Sequence, residues 1–357
     1  MKWNIGWGFT SKCNMRCAFC YSEKKRESQK DVDFLTCKKF INDNFKNINT
    51  INFGTGENTL SDDWFVLVKH IRDNYPDIGI SLTTNGYLSE AIGDEFKFNV
   101  FKNCIDEIDV SLDFADAESH NSFRGQHNAY KWAIDTLEIC KKYNKKTTIV
   151  FLGSKKNALK DNVNKIFLIA KKYDAIVRMN IYRPTNGIDN KAKEFIMDRQ
   201  QIIDLLMYIN ENHIVISLGD AYFAPILTGL KRSDPSGADS LRILPNGTIT
   251  PSTYLINDSY CVGSIYEENV LENIHKKIQK KILPTIPMEC NDCFYKNICQ
   301  GGVYDRRILW YGTLLKKDPY CITSYDKEIP AIIKTDSSNF RSIHDDYLPT
   351  MFFKPRV

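Results

Sequence analysis

The chain has 357 residues, 43% of them hydrophobic and 26% charged, enough to bury the cores of one large and one smaller domain. Lys and Arg outnumber Asp and Glu by only 48 to 44, a net charge of +4 that excludes nucleic acid as the expected partner. No apolar run reaches the roughly 20 residues that span a bilayer, and MKWNIGWGF lacks the charged start, apolar centre and cleavage site of a signal peptide. A soluble cytoplasmic chain with no membrane partner is expected.

In chain order, short apolar runs alternate with longer amphipathic ones. Strands are predicted at 3–9, 50–54, 79–84, 107–112, 147–152 and 175–181, and helices between them at 34–45, 62–74, 88–96, 130–143 and 159–173. Ser61 with Asp62 reads as a helix start, and Asn85-Gly86 as a turn after a strand. Six strands with intervening helices imply parallel β/α units closing into a partial (β/α)6, TIM-like barrel, with chemistry at the C-terminal ends of its strands. Beyond residue 186 the pattern changes. A helix at 198–211, a strand at 214–218 and a linker-like stretch at 233–240 lead to a hairpin, 241–244 and 248–250 around Pro245-Asn246-Gly247. A helix at 270–282 precedes a cysteine-rich segment, and the last 36 residues read as a docking tail. The predicted organisation is a barrel over 1–190, a connection over 191–235, a smaller C-terminal domain over 236–325 and a tail over 326–357.

Eleven cysteines, seven of them in two close-spaced groups, argue for metal and against a disulfide framework. Cys37 and Cys140 lie in helical patterns and Cys104 just before a strand, where each is expected as a small buried apolar residue. Cys261 stands alone.

The first group, CNMRCAFC, places Cys13, Cys17 and Cys20 directly after the first strand. Three thiolates are one short of a fully ligated 4Fe–4S cluster, leaving one iron open to substrate. A structural zinc site would recruit a fourth ligand, and none lies nearby. This spacing, with Phe19 before Cys20, resembles the signature of the radical S-adenosylmethionine (SAM) superfamily. The resemblance implies that the open iron chelates the amino and carboxylate groups of SAM. One electron then releases a 5′-deoxyadenosyl radical, which abstracts a substrate hydrogen. It extends to GTGEN, where Gly56 and Glu57 match a Gly-Gly-Glu loop at the methionine amine and Thr55 departs from it. Asn85 falls in a Thr-Asn-Gly turn. Ser111 and Asp113 match residues near the ribose, and Arg124 the arginine that pairs with the methionine carboxylate. His120 fits the pattern but reads as an exposed loop histidine. Tyr182 and Arg183 follow the sixth strand, where they either contact substrate or pack.

The second group comprises Cys290, Cys293, Cys299 and Cys321, a closed set suited to zinc or to a fully ligated 4Fe–4S cluster. Beside the first group, it resembles the SPASM extension of radical SAM peptide maturases. That family's inner auxiliary cluster is predicted absent, because Ser252 and Val303 stand where its cysteines would be. The resemblance therefore implies two 4Fe–4S clusters, one binding SAM and one auxiliary, and a ribosomally made precursor peptide as substrate. Only twelve residues precede Cys13, so no N-terminal leader-binding domain is expected. Leader recognition is assigned to a separate partner protein or to the tail, and reduction to a donor such as flavodoxin or ferredoxin. The run WNIGWGFTSKCNMRCAFCYS is similar to peptide spliceases, which excise a tyramine unit. Cross-linking, epimerisation and oxidation stay open as outcomes. Two other classes stay open as well: a radical SAM dehydrogenase or epimerase acting on a small molecule such as a sugar, and a zinc-binding interaction protein.

Overall fold

The computed structural model describes residues 2–322 apart from 23–26, 28–29, 213, 215, 221, 229–233 and 282–284, and in addition 342–344 and 350–352. Six strands, β1 (Trp3–Trp7), β2 (Ile48–Phe53), β3 (Gly79–Thr84), β4 (Glu107–Ser111), β5 (Lys146–Gly153) and β6 (Ile176–Ile181), pair in parallel, each with the next. Between them lie α1 (Phe34–Asn44), α2 (Asp62–Asn74), α3 (Leu88–Ala91), α4 (Glu95–Cys104), α5 (Ala117–Arg124), α6 (Ala129–Lys142) and α7 (Lys160–Lys172). The expected partial α/β barrel is present.

After β6 come α8 (Asn190–Lys193), α9 (Arg199–Glu211), β7 (Ser217–Gly219), α10 (Phe223–Thr228), β8 (Ser240–Ile243), β9 (Thr248–Thr250) and β10 (Gly263–Ser264). The chain continues through α11 (Val270–Lys281), α12 (Lys296–Cys299), α13 (Tyr304–Tyr311) and β11 (Thr350–Phe352). The hairpin does not form a sheet of its own. β8 pairs in parallel with β1, and β7 with β6, giving one sheet in the order β10-β9-β8-β1-β2-β3-β4-β5-β6-β7-β11.

Strand alternation explains the barrel's two faces. Trp3, Ile5, Trp7, Phe53, Ile80, Leu82, Ile108 and Val110 are buried. Trp7 meets Phe40 of α1 edge-on, and Phe53 does the same with Trp64 of α2. Each such side chain contributes roughly 1.5–3 kcal/mol by leaving water. The opposite face is polar: Asn52 donates to Ser81, Thr83 donates to Asn52 and Asp109, and Arg178 pairs with Asp109. Barrel interiors are ordinarily filled by bulky branched side chains; this one is built to hold something polar.

Asp33, Asp94 and Asp116 cap α1, α4 and α5 by accepting backbone N–H bonds, and Asp198 closes a capping box with Gln201 at α9. Ser61 occupies the N-cap of α2 without a side-chain cap bond; Asp62 and Asp63 supply first-turn charge instead. The helix expected over 88–96 is two helices, because Asp94 starts a new one. Cys37, Cys104 and Cys140 are buried in the core, where burial pushes Cys37 and Cys140 up to about 12.

The described part of the tail docks at the N-terminal end of the barrel. The Ile343 N–H donates to Glu107, Arg178 donates to Ser342 Oγ, and His344 Nε2 lies 3.2 Å from Asp109. β11 adds antiparallel to β7. Burial, reinforced by the Asp109 charge, pushes Glu107 up to about 7, whereas an unfolded glutamate titrates near about 4.3. Between those values the folded chain holds the extra proton, so stability falls as pH rises through the window. In urea melts, Glu107→Gln is expected to exceed wild type by about 1–3 kcal/mol at pH 8, the gap closing near pH 4.

Candidate active site

The loop after β1 is fixed from several sides. Asp31 accepts from Thr10 Oγ1 at 2.5 Å and from the Ser11 N–H at 2.7 Å. The Glu57 N–H donates to the Lys12 carbonyl at 2.8 Å, and Gln126 donates to the Asn14 carbonyl at 3.2 Å. Cys13, Cys17 and Cys20 thereby line one cavity of about 200 Å³, together with Phe19, Gly56, Asn85, Ser111 and Arg124. Burial pushes the Cys17 thiol up to about 12, with Cys20 and Cys13 adding to the effect after Arg124 opposes it.

Gly56 takes φ +68°, and a Cβ there would sit 2.5 Å from the carbonyls of Thr10 and Lys12, so the loop closes only on glycine. Thr55 occupies space that Gly8 leaves open: a Cβ on Gly8 would meet Thr55 Cβ at 2.6 Å. Thr55 Oγ1 also bonds Tyr21 Oη at 2.9 Å. Glu57 does not line the cavity. Its fully buried carboxylate accepts from the Asn85 N–H, Thr84 Oγ1 and Thr59 Oγ1, tying the glycine loop to the Thr-Asn-Gly turn. Burial raises its pKa against those hydrogen bonds.

Ser111 ends β4 and lines the cavity, but the strand stops there and Asp113 turns inward. Asp113 is buried behind Arg124, accepting from its Nε at 2.7 Å and Nη2 at 2.6 Å, and from the Leu152 N–H at 2.8 Å. Of the two residues matched to the ribose neighbourhood, Ser111 lines the cavity and Asp113 does not. Arg124 faces the cavity with Nη1 unpartnered, its guanidinium 5.4 Å from the Phe19 ring. The exposed-loop reading of His120 is overturned: His120 is buried on α5, its Nδ1 accepting from the Asp113 N–H, and burial lowers its pKa.

A second cavity, about 240 Å³, lies in the barrel interior and shares Tyr21, Gly54, Thr83, Asn180, Arg183 and Tyr254 with the first. Tyr182 lines the cysteine cavity. Arg183 is buried, pairing with Asp305 at 3.3 Å and Asp220 at 3.6 Å across the Tyr254 ring. Arg306, fully buried on α13, joins Asp220 at 2.8 Å to Asp318 at 2.6 Å. Sequence reasoning missed this chain of charges, although the Asp305-Arg306-Arg307 run on an otherwise apolar helix was a signal.

Asp318 stands three residues before Cys321, and the second cysteine group gathers here. The Cys293 N–H donates to the Cys290 carbonyl, and burial raises Cys290 and Cys299, the latter to about 12, with the neighbouring thiols adding. Ser252 and Val303 are both buried: Ser252 donates to Asp305 at 2.6 Å, and the Val303 N–H to Asp318. Cys261 donates to the Gly263 carbonyl. Among the described residues, no three His, Cys, Asp or Glu side chains meet at the spacing of a single metal ion.

A profile of the radical SAM superfamily matches residues 7–182, the span that carries the cysteine loop and strands β2 to β6. Through residues 7–182 the chain belongs to the radical SAM superfamily. This radical SAM enzyme is 23% identical over 347 residues to the AdoMet-dependent heme synthase of Methanosarcina barkeri, covering 89% of this chain and 95% of that one. The antilisterial bacteriocin subtilosin biosynthesis protein AlbA of Bacillus subtilis is 24% identical over 312 residues, 83% of this chain and 65% of AlbA. Streptococcus suis SuiB, solved bound to precursor peptide SuiA, shares the fold at a TM-score of 0.69 and 17% identity, over 90% of this chain and 74% of SuiB. Family membership calls for SAM and one 4Fe–4S cluster, and the site fits both. Three thiols share one cavity, Arg124 Nη1 stands ready for an anion, and Asn14 Nδ2 is buried without a partner beside Cys13. Among the described residues, no helix is long and apolar enough to cross a membrane.

Proposed function

We propose that this radical SAM enzyme modifies a ribosomally made precursor peptide, with Cys13, Cys17 and Cys20 holding the SAM-binding cluster and Cys290, Cys293, Cys299 and Cys321 an auxiliary one. The observation that carries the reading is the joining of the three-thiol cavity to a polar interior cavity across the shared wall of Tyr21, Asn180, Arg183 and Tyr254. AlbA and SuiB, whose names tie them to bacteriocin biosynthesis and to a precursor peptide, support a peptide as substrate. When bound, the cluster and SAM supply the 5′-deoxyadenosyl radical that abstracts a hydrogen. The chain's own residues bind and orient. Arg124 receives the methionine carboxylate through Nη1 while Asp113 holds the rest of its guanidinium fork. Asn85 and Ser111 lie where they can meet the rest of the SAM molecule, and Phe19 covers the Arg124 face.

Arg124→Ala is expected to weaken SAM binding to the reconstituted protein by about ten- to a hundredfold, the loss of a charge-assisted contact. Asp113→Asn shifts it the same way by less. Equilibrium dialysis measures both, and unchanged affinity in Arg124→Ala assigns the carboxylate to another residue.

The peptide reading is tested by co-expressing the enzyme with short open reading frames encoded beside it and comparing peptide masses with and without the enzyme. A discrete deficit equal to tyramine identifies excision, and loss of two hydrogens a cross-link or oxidation. No mass change in any peptide, with 5′-deoxyadenosine still formed, removes the peptide substrate. A second reading, a small organic substrate, is favoured by the heme synthase, which aligns over 95% of its length. Deoxyadenosine release stimulated by a small molecule supports it. A leader-binding partner protein and a flavodoxin- or ferredoxin-type donor complete the proposal.

A further inference from the structure

The interior cavity carries three arginines and three aspartates on its wall, and among the arginines only Arg242 lacks a described carboxylate partner. Arg178 is paired with Asp109, and Arg183 with Asp305 and Asp220. Asp220 is also held by Arg306, and Asp305 accepts from Ser252. Asp234 accepts the N–H groups of Ser236 and Tyr304. Arg242 is the exception. It stands on β8, only 2% exposed, and no described carboxylate lies within ion-pair distance of it. Its Nη2 donates to the Gly54 carbonyl at 2.5 Å and to Tyr21 Oη at 3.3 Å, while its Nε is buried with no partner at all.

The barrel makes room for this side chain. Gly6 is the register partner of Arg242 on β1, and a Cβ at Gly6 would sit 2.8 Å from Nη1 and 3.3 Å from Cδ. A guanidinium brought this far from water without a counter-charge is costly, and that cost falls when an anion arrives. Gly54 and Tyr21, which hold it, line both cavities, so Arg242 stands at the wall between the SAM side and the interior.

We propose that Arg242 is the substrate anchor: it receives a carboxylate of the substrate in the interior cavity and so presents the neighbouring carbon to the SAM side. Resting on the peptide reading above, that carboxylate belongs to an acidic residue or to the C-terminus of the peptide segment being modified. A guanidinium suits this, because its planar fork pairs with a carboxylate through two parallel bonds.

The test uses full-length, anaerobically reconstituted enzyme with SAM bound, and blocked amino acids at millimolar concentration as probes. Acetyl-Glu-N-methylamide is expected to bind about tenfold or more tightly than its Gln counterpart by calorimetric titration. Arg242→Gln erases that preference, and Arg242→Lys keeps part of it. Equal binding of the two probes to wild type, no Arg242-dependent binding of any carboxylate probe including glutarate, or a preference that survives Arg242→Gln overturns the anchor. A measurement on wild type alone guards against a variant that does not fold. A probe labelled with 13C at its side-chain carboxyl should titrate, when bound, below its usual value of about 4.3; titration at or above that value overturns the anchor too. Glutarate separates the anchor from the peptide reading. If it shows Arg242-dependent binding and the blocked glutamate shows none, the carboxylate anchor stands while the peptide substrate falls.

Discussion

Alanine at Cys13, Cys17 and Cys20 together is expected to yield an enzyme that forms no 5′-deoxyadenosine from SAM, yet keeps about four of the roughly eight irons proposed per chain. The loss is complete because these are the sole cysteines lining the cavity that also holds Arg124 Nη1 and the Gly56 turn. Four irons are expected to persist because the proposed auxiliary set, Cys290, Cys293, Cys299 and Cys321, belongs to a separate stretch of chain packed around α12 and the Asp318 loop. The converse substitution, Cys299→Ala, also leaves about four irons, and combining the two sets leaves none. Iron and sulfide analysis with chromatographic detection of 5′-deoxyadenosine reads all three. Deoxyadenosine from the triple variant moves SAM cleavage to another site, and full iron in Cys299→Ala dissolves the proposed auxiliary set.

Arg306→Met is the second large effect. Arg306 is fully buried between two carboxylates that are themselves only 3% and 2% exposed, Asp220 and Asp318. Removing one partner of a buried ion pair costs about 3–5 kcal/mol, because the other charge stays behind without compensation. Here Asp318 loses its counter-charge and Asp220 keeps only Arg183 at 3.6 Å, while a whole domain is stable by only about 5–15 kcal/mol. Asp318 also accepts from the Val303 and Tyr320 N–H groups, so its displacement disturbs the turn that carries Cys321. The expected result is a fall in melting temperature of several degrees or more, with loss of the auxiliary set's absorbance before that of the SAM-binding set. Arg306→Lys, a single point charge that cannot fork between both acids, falls between. A variant with wild-type melting and iron removes the network from the stability of this region.

The barrel was legible in the sequence because several of its strands alternate apolar with polar or small residues. Ile5 and Trp7 flank Gly6, Ile51 and Phe53 flank Asn52, and Leu82 stands between Ser81 and Thr83. The cysteine loop was legible because three thiols at that spacing have few other uses. What escaped depended on tertiary contact. Glu57 and Asp113 look like ligands because they are carboxylates at strand ends, but each spends its oxygens inside the protein, on the turn at Asn85 and on Arg124. His120 looked exposed because no helix was expected around it, although Asp116 before and Gly125 after are helix start and stop signals. Arg242 sits in a hairpin strand that reads as part of an appended domain; only its pairing with β1 brings it into the barrel. No local pattern announces that.

The docking of Ser342, Ile343 and His344 under the barrel bears on how the chain matures on the ribosome. Asp109 and its partner His344 are 235 positions apart. At roughly 5–20 residues per second, about 12–47 s pass between the synthesis of one and of the other. For that interval the nascent barrel holds Asp109 and Glu107 at an open end, with Arg178 as their main counter-charge and water where the tail will lie. A segment made long after the barrel strands thus seals an interior that they have already shaped.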